Sequence, residues 1–457
     1  MIKALSLSQL AQKTDGKLYG SDVIFSRVST DTRTIKNGDL YIALKGEKFN
    51  GFDYIDRAVQ ADCSAVVMNS CEAVNESLTA DKPLLLVSDS IRALGEAASL
   101  NRLAMKGPVI GLTGSSGKTT TKNMIATILS EEGETCSTEG NFNNEIGVPL
   151  TLLNIDERHD FAVVEMGARS PGDISYLSGF VQPDVAILLN VGVAHIDIFG
   201  SYESIVATKS EIFDALKPDG IAIINADDPA INIWQKKLGD KQKLSFSVQD
   251  EKADIYASEI CCDADSSSFN LHYQDTSMAI NLPMPGLHNV SNSLAAAAAA
   301  IAVGIAPVSI SKGLTKLIST EGRLHASKLS QNLTLIDDSY NANPASMKAS
   351  LDVLSLRSGY KVAVLGEMAE LGALSESLHI DVAKYAAKTS IDKFYFIGRY
   401  AELMSACVEN RSVVSNNKQD IADLLFKSLE KEESVLVKAS RSACLDELVE
   451  MIKERAC

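Results

Sequence analysis

The chain is 457 residues long, 46% hydrophobic and 22% charged, with a formal net charge of −16. That length predicts two to four globular domains, and the acidic balance argues against a nucleic acid or an anionic membrane held by bulk charge. Residues 1–16 read as an amphipathic helix rather than a signal peptide, and no apolar run approaches the roughly 20 residues of a membrane span. Eight cysteines with no CxxC and no metal spacing point to reduced thiols in the cytoplasm.

Up to about residue 83, short strands mix with helical segments, including a helix over 54–61 and a strand over 65–68. A long amphipathic helix over 90–105 then reaches Gly107-Pro108, a natural breaker. Beyond it, apolar strands at 109–113, 161–166, 185–190 and 221–225 alternate with helical patterns at 119–131, 204–216 and 291–303. That alternation is the signature of a parallel sheet. After Glu321-Gly322-Arg323 a second alternating set begins, with strands at 333–336, 361–365, 393–397 and 435–437. The expected fold is α/β in three domains, 1–84, 85–317 and 318–457, with hinges near 84 and 318.

Gly114-Ser115-Ser116-Gly117-Lys118-Thr119-Thr120 follows the strand 109–113 and opens a helix. In such a loop glycines let backbone amides face phosphate oxygens, the helix N-terminus adds a favourable dipole, and Lys118 reaches the terminal phosphates. A threonine hydroxyl meets magnesium. The glycines fall at 111, 114 and 117, a departure from the strict G-x4-GK[ST] spacing. A chance Gly/Ser turn would have no reason to sit between a strand and a helix, so the loop reads as an ATP site.

Polar groups also close the other apolar strands: Glu165, His195 and the run Asn225-Ala226-Asp227-Asp228. In an open parallel sheet those ends share one edge, where ligands bind. A carboxylate and an imidazole beside a phosphate loop suit magnesium, although a satisfied structural histidine is the competing reading of His195. Lys209 falls on the apolar stripe of its helix, with Ile205, Ile212 and Leu216. Either it snorkels outward, or burial lowers its pKa and leaves a neutral amine that carbon dioxide could convert to a metal-binding carbamate.

Pro285-Gly286-Leu287-His288-Asn289 precedes the alanine-rich helix. Asn289 or Ser291 is expected as its N-cap, or Asn289 meets a purine base. Arg323, at the second hinge, is either a hinge salt bridge or a guanidinium carried onto the phosphates when domains close. The stretch Asp337-Asp338-Ser339-Tyr340-Asn341-Ala342-Asn343-Pro344 is more polar than a turn and cap require, and reads as a ligand loop.

Taken together, these residues resemble the Mur ligases, the ATP-dependent amide-forming enzymes of peptidoglycan precursor synthesis, through all three domains. The short TGSSGKTT loop is that family's form, which accounts for its glycine spacing. The resemblance implies that Glu165 and His195 help to bind magnesium with Thr119, and that Lys209 is the carbamylated lysine. It implies that His288 and Asn289 lie near adenine, that Asn225 and Asp338 belong to the ATP site, and that Arg323 acts at the hinge. Ser29, Asp31, Arg33 and Gly46 look like the uridine-nucleotide site of an N-terminal domain, and the last domain is Rossmann-like. Two segments, 140–149 with Asn143 and Asn144, and 337–347 with Tyr340, Asn341 and Asn343, resemble the branch that adds D-alanyl-D-alanine. The amino-acid-adding branch carries a DNPR motif, which does not occur in this chain. Lys438-Ala439-Ser440-Arg441 stands where the family usually reads K-G-S-R.

The implied reaction uses ATP and magnesium to join a UDP-linked muramoyl tripeptide to D-Ala-D-Ala through an acyl phosphate, in a cytoplasmic monomer. A P-loop kinase or motor ATPase is an alternative, against which the extra Rossmann-like domain weighs. A folylpolyglutamate synthetase-like ligase would lack the N-terminal uridine-type domain. A non-catalytic nucleotide-binding protein would need its metal residues broken, and they are intact.

Overall fold

Apolar strands alternate with amphipathic helices along most of the chain and assemble into three large sheets that follow one another in sequence. The computed structural model describes residues 1–46, 49–69, 82–193, 196–318, 321–428 and 432–456. The first sheet has five strands, in the order Lys17–Tyr19, Leu84–Leu86, Ala65–Met68, Leu40–Ile42 and Val28–Ser29. All its pairings are parallel except that of the edge strand Lys17–Tyr19. The expected boundary at 84 falls inside the strand Leu84–Leu86, which pairs on both sides within this first sheet. The helix Ser90–Arg102 then leads to the central sheet, and its buried alanines and Leu94 belong to one apolar core shared by the first and central sheets.

The central sheet has nine strands. Thr135–Ser137, Phe161–Glu165, Val109–Thr113, Val185–Leu188, Ile221–Asn225, Lys243–Ser247 and Ile255–Cys262 pair in parallel in that order. Ser267–Tyr273 and Thr276–Leu282 complete it as antiparallel strands. The expected parallel core is present, and the antiparallel meander over 255–282 extends it beyond the strands expected from the sequence. Its residues Ile255, Ala257, Phe269, Leu271 and Ile280 are buried at alternating positions along the strands, so only one face is buried.

Both faces of the parallel core are covered. The alanine-rich helix Leu287–Ala302 buries Ala295 to Ala300 completely against it. Its neighbours lie equally close: a Cβ on Gly313 of the helix Pro307–Thr315 would stand 2.5 Å from the Ile128 Cα. Arg102, 2% exposed, donates to the Val181 and Gln182 carbonyls and to Asp184. Asp184 also accepts from the Val109 amide at 2.8 Å. A buried guanidinium thus fixes the entry of the strand that leads into the phosphate loop.

The last sheet runs His325–Ser330, Leu333–Asp338, Glu433–Lys438, Tyr360–Leu365, Lys393–Phe396 and Ser412–Val414, and only its first pairing is antiparallel. It is the Rossmann-like unit expected after residue 318, with helices on both faces. Among the described residues no helix is long and apolar enough to cross a membrane.

Candidate active site

A cleft of about 700 Å³ opens between the carboxyl edge of the central sheet and the last domain. The phosphate loop forms its floor. Gly117 caps the helix Lys118–Leu129 in the left-handed region, at φ +78, and a Cβ there would stand 2.4 Å from the Asn292 side-chain oxygen. Two strand-end groups brace the loop. Asn190 accepts from the Ser116 amide at 3.0 Å and donates to the Ser116 carbonyl at 3.2 Å, and Ser115 exchanges hydrogen bonds with Gly192. Lys118 turns back to the Gly114 carbonyl at 3.0 Å. Burial lowers its pKa, Glu165 opposes that shift and Arg323 adds to it.

Glu165 closes its strand at 1% exposure and forms the junction of the site. One carboxylate oxygen accepts from the Thr119 hydroxyl at 2.9 Å, the other from the Asn143 amide at 2.7 Å. Lys209 lines the same cleft at 2% exposure. It lies in the helix Tyr202–Ser210, which passes into a short 3-10 turn, so the expected helix to 216 ends sooner. Its side chain does not snorkel. Burial, reinforced by the Lys118 charge, brings its pKa down to about 7. Among the described residues no three His, Cys, Asp or Glu side chains gather into a cation cage. His195 lies outside the described residues.

The opposite wall comes from beyond the second hinge. Arg323 donates to the Thr119 hydroxyl at 3.1 Å, and its guanidinium lies 4.2 Å from the centre of the Tyr340 ring. Backbone contacts hold it there. Tyr340 donates to the Gly322 carbonyl at 3.1 Å, and Asp338 accepts from the Leu324 amide at 3.2 Å. Gly322 and Leu324 are both left-handed, at φ +73 and +52. Asn343 caps the helix Pro344–Ser355 through the Ser346 amide and lies on the lining with Tyr340 and Asn341.

Asp338 also accepts from Lys438 at 2.6 Å and from Ser350 at 2.5 Å, in a pair almost closed to solvent. Replacing Lys438 with methionine would strand that carboxylate. The expected result is a loss of about 3–5 kcal/mol in urea unfolding, and a loss below about 1 kcal/mol would show the pair to be unimportant.

Asn144, His288 and Asn289 also line the cleft. His288 lines the cleft with its pKa brought down to about 4 by burial, so its imidazole is neutral at pH 7. Asn289 is not a cap: the helix already begins at Leu287 from a left-handed Gly286, and the Asn289 amide donates to the Pro285 carbonyl at 2.8 Å. Asn144 bonds the Gly147 amide at 2.9 Å. Asn225, expected at the nucleotide, lies outside the lining and donates to the Leu189 carbonyl at 3.0 Å, so it steadies the neighbouring strand end instead. Ser29, Asp31, Arg33 and Gly46 stand apart from the cleft, at the carboxyl edge of the first sheet. There Arg33 folds onto Asp31 at 2.6 Å and holds the Asp31 pKa down at about 2. Asn190, Asn292, Phe142, Arg169 and Tyr176 line the cleft without having been singled out. Asn190 alone had a readable signal, a polar residue closing an apolar strand as Glu165 does.

Comparison with known proteins agrees with this architecture. Three family models match in order: "Mur ligase family, catalytic domain" over 25–102, "Mur ligase middle domain" over 112–300, and "Mur ligase, glutamate ligase domain" over 322–441. The UDP-N-acetylmuramoyl-tripeptide--D-alanyl-D-alanine ligase of Escherichia coli (strain K12) is 39% identical over 456 residues, 99% of each chain. A crystal structure of MurF from Acinetobacter baumannii superposes with a TM-score of 0.92 at 34% identity, again over 99% of each chain. MurF ligase from Thermotoga maritima, solved in complex with ADP, gives 0.83 at 29% identity over 94% of this chain and 97% of that one. Likeness of that extent, through every sheet and on both sides of the cleft, makes the chain a member of the Mur ligase family.

Proposed function

We propose that the chain joins the terminal carboxylate of UDP-N-acetylmuramoyl-tripeptide to the amine of D-alanyl-D-alanine at the expense of ATP, in peptidoglycan precursor synthesis. The observation that carries this reading is the cleft itself, where a phosphate loop, the Glu165 carboxylate and the Tyr340–Asn343 wall of another domain converge. ATP occupies the loop, with its adenine toward His288 and Asn289 and its phosphates under Gly114 to Thr120 and Arg323. The uridine nucleotide is held at Ser29, Asp31, Arg33 and Gly46. The peptide end of that substrate meets Asn143 and Asn144, and the dipeptide meets Tyr340, Asn341 and Asn343.

The tripeptide carboxylate attacks the γ-phosphorus of ATP. A new oxygen–phosphorus bond forms while the bond to ADP breaks, and ADP leaves with the electron pair. The neutral amine of the dipeptide then adds to the acyl carbon, and the tetrahedral adduct collapses. Phosphate departs with the proton that nitrogen releases, leaving the amide. Positioning and charge neutralisation dominate such a sequence. Lys118 and the loop amides hold the phosphates, Arg323 covers the transferring group, and the wall from the last domain excludes water that would hydrolyse the acyl phosphate. A magnesium ion fits the donors present, since beside nucleotide phosphates it needs only one or two protein carboxylates. Thr119, Glu165, His195 and a carbamate on Lys209 would hold it, and it would neutralise phosphate charge.

Phosphate release from ATP with UDP-muramoyl-tripeptide is the direct test, run with and without D-Ala-D-Ala. Release is expected to depend on the dipeptide and to match amide formed. Release indifferent to the dipeptide would sink this assignment.

A further inference from the structure

Lys122 has no part in the chemistry above, and its surroundings are unusual for a lysine. It lies one helical turn beyond Lys118, at 3% exposure, where an ammonium loses nearly all its hydration. Among the described residues no carboxylate pairs with it. Its Nζ instead donates to two backbone carbonyls, that of Thr138 at 2.5 Å and that of Gly140 at 3.1 Å. Both belong to the turn that follows the edge strand Thr135–Ser137, and Gly140 takes a left-handed φ of +51 there.

That turn is the mounting of the junction carboxylate. The Thr138 hydroxyl accepts from the Glu165 amide at 3.0 Å. A few residues on, Asn143 donates to the Glu165 carboxylate at 2.7 Å, and its own carbonyl accepts from Gly167 at 2.8 Å. Glu165 in turn accepts from Thr119, three residues before Lys122 on the same helix. The contacts therefore close a ring that starts and ends on the phosphate-loop helix. A buried ammonium is expensive to desolvate, and only two backbone carbonyls offset that cost here. Its retention at this place has a use if the two carbonyls must be held at a fixed distance from the loop.

We propose that Lys122 is a positioning residue, which clamps the 138–144 turn to the phosphate-loop helix and so sets Asn143 and Glu165 against the ATP phosphates. The inference rests on the ligase reading, because a misplaced Glu165 matters only if phosphoryl transfer occurs beside it.

The test compares Lys122→Met, Lys122→Gln and Lys122→Arg with the parent chain, using ATP, UDP-muramoyl-tripeptide and D-Ala-D-Ala. Methionine removes the donors, and kcat is expected to fall about 10–100-fold, as for residues that orient a site's ligands, with the Kd for a non-hydrolysable ATP analogue little changed. Hydrogen exchange over 138–144 should quicken in parallel, while arginine, which keeps the charge and the donors, restores both readouts. If the methionine variant does not fold, glutamine carries the same comparison. Combined with Asn143→Ala, the loss should be less than additive, because both changes disturb one unit. A parent chain without dipeptide-dependent turnover would defeat the ligase reading. An active parent whose Lys122→Met or Lys122→Gln variant keeps its kcat, or whose double-variant losses simply add, would defeat the clamp alone.

Discussion

Arg323→Ala is expected to lower kcat for dipeptide-dependent phosphate release by about a thousandfold, the lower range for arginines that stabilise a transferring phosphoryl group. The guanidinium is carried on the hinge yet reaches the phosphate-loop threonine, 3.1 Å away. It can therefore act on phosphate charge only while the last domain is in place. ATP affinity should change much less, because Lys118 and the loop amides stay intact. Lysine at 323 should not rescue the loss: it has no planar face to lie on the Tyr340 ring and no fork of donors. Tyr340→Ala tests the support separately. Removing a cation–π contact of about 0.5–2 kcal/mol predicts a loss of roughly 2- to 30-fold. Steady-state kinetics at saturating substrates reads all three variants, and an Arg323→Ala kcat within tenfold of the parent would exclude the role.

The two left-handed hinge residues explain why this arginine is legible in the sequence only as a pair of alternatives. From sequence, Glu321-Gly322-Arg323 marks a turn between domains. Its aim depends on Leu324 being left-handed and on Asp338 holding the Leu324 amide, a contact between segments 14 residues apart. The central parallel core was readable because each strand is a short buried run closed by a polar residue, a pattern the backbone itself dictates. The 255–282 meander is harder to read because it buries one face only, so its core residues are interrupted by serine, threonine and asparagine instead of forming a continuous buried run. Asn225 and Glu165 look alike in sequence, each a polar residue ending an apolar strand. Neighbouring strands separate them: Asn225 finds the Leu189 carbonyl across the sheet edge, whereas Glu165 faces the Thr119 hydroxyl. The alanine-rich helix starts earlier than its sequence suggests for a related reason, since Gly286 begins it with backbone geometry rather than with a capping side chain.

Lys209 should tie the activity to carbon dioxide, with a sign that its surroundings fix. Burial and the nearby Lys118 charge lower its pKa to about 7, from an ordinary value of 10.5. Below 7 the amine is protonated and cannot attack carbon dioxide. Above 7 it is neutral in the folded protein while still protonated in the unfolded chain. Two consequences follow between pH 7 and 10.5. Folding stability attributable to Lys209 rises with pH, because the unfolded state binds the extra proton. At a fixed carbon dioxide pressure the carbamate fraction also rises as pH passes upward through about 7, since only the neutral amine reacts. Lys209→Arg keeps a permanent cation where the cleft wants a metal-binding anion, and its kcat should fall by about a hundredfold or more, the scale of losing one preorganised charge. Activity of the parent chain should drop in buffer stripped of carbon dioxide and return when bicarbonate is added. A carbamate signal from carbon-13-labelled bicarbonate should be present in the parent and absent from Lys209→Arg. If stripped buffer leaves both the rate and the labelled signal of the parent unchanged, Lys209 acts as a plain amine, and the negative charge at the proposed magnesium site must come from Glu165 and the nucleotide alone.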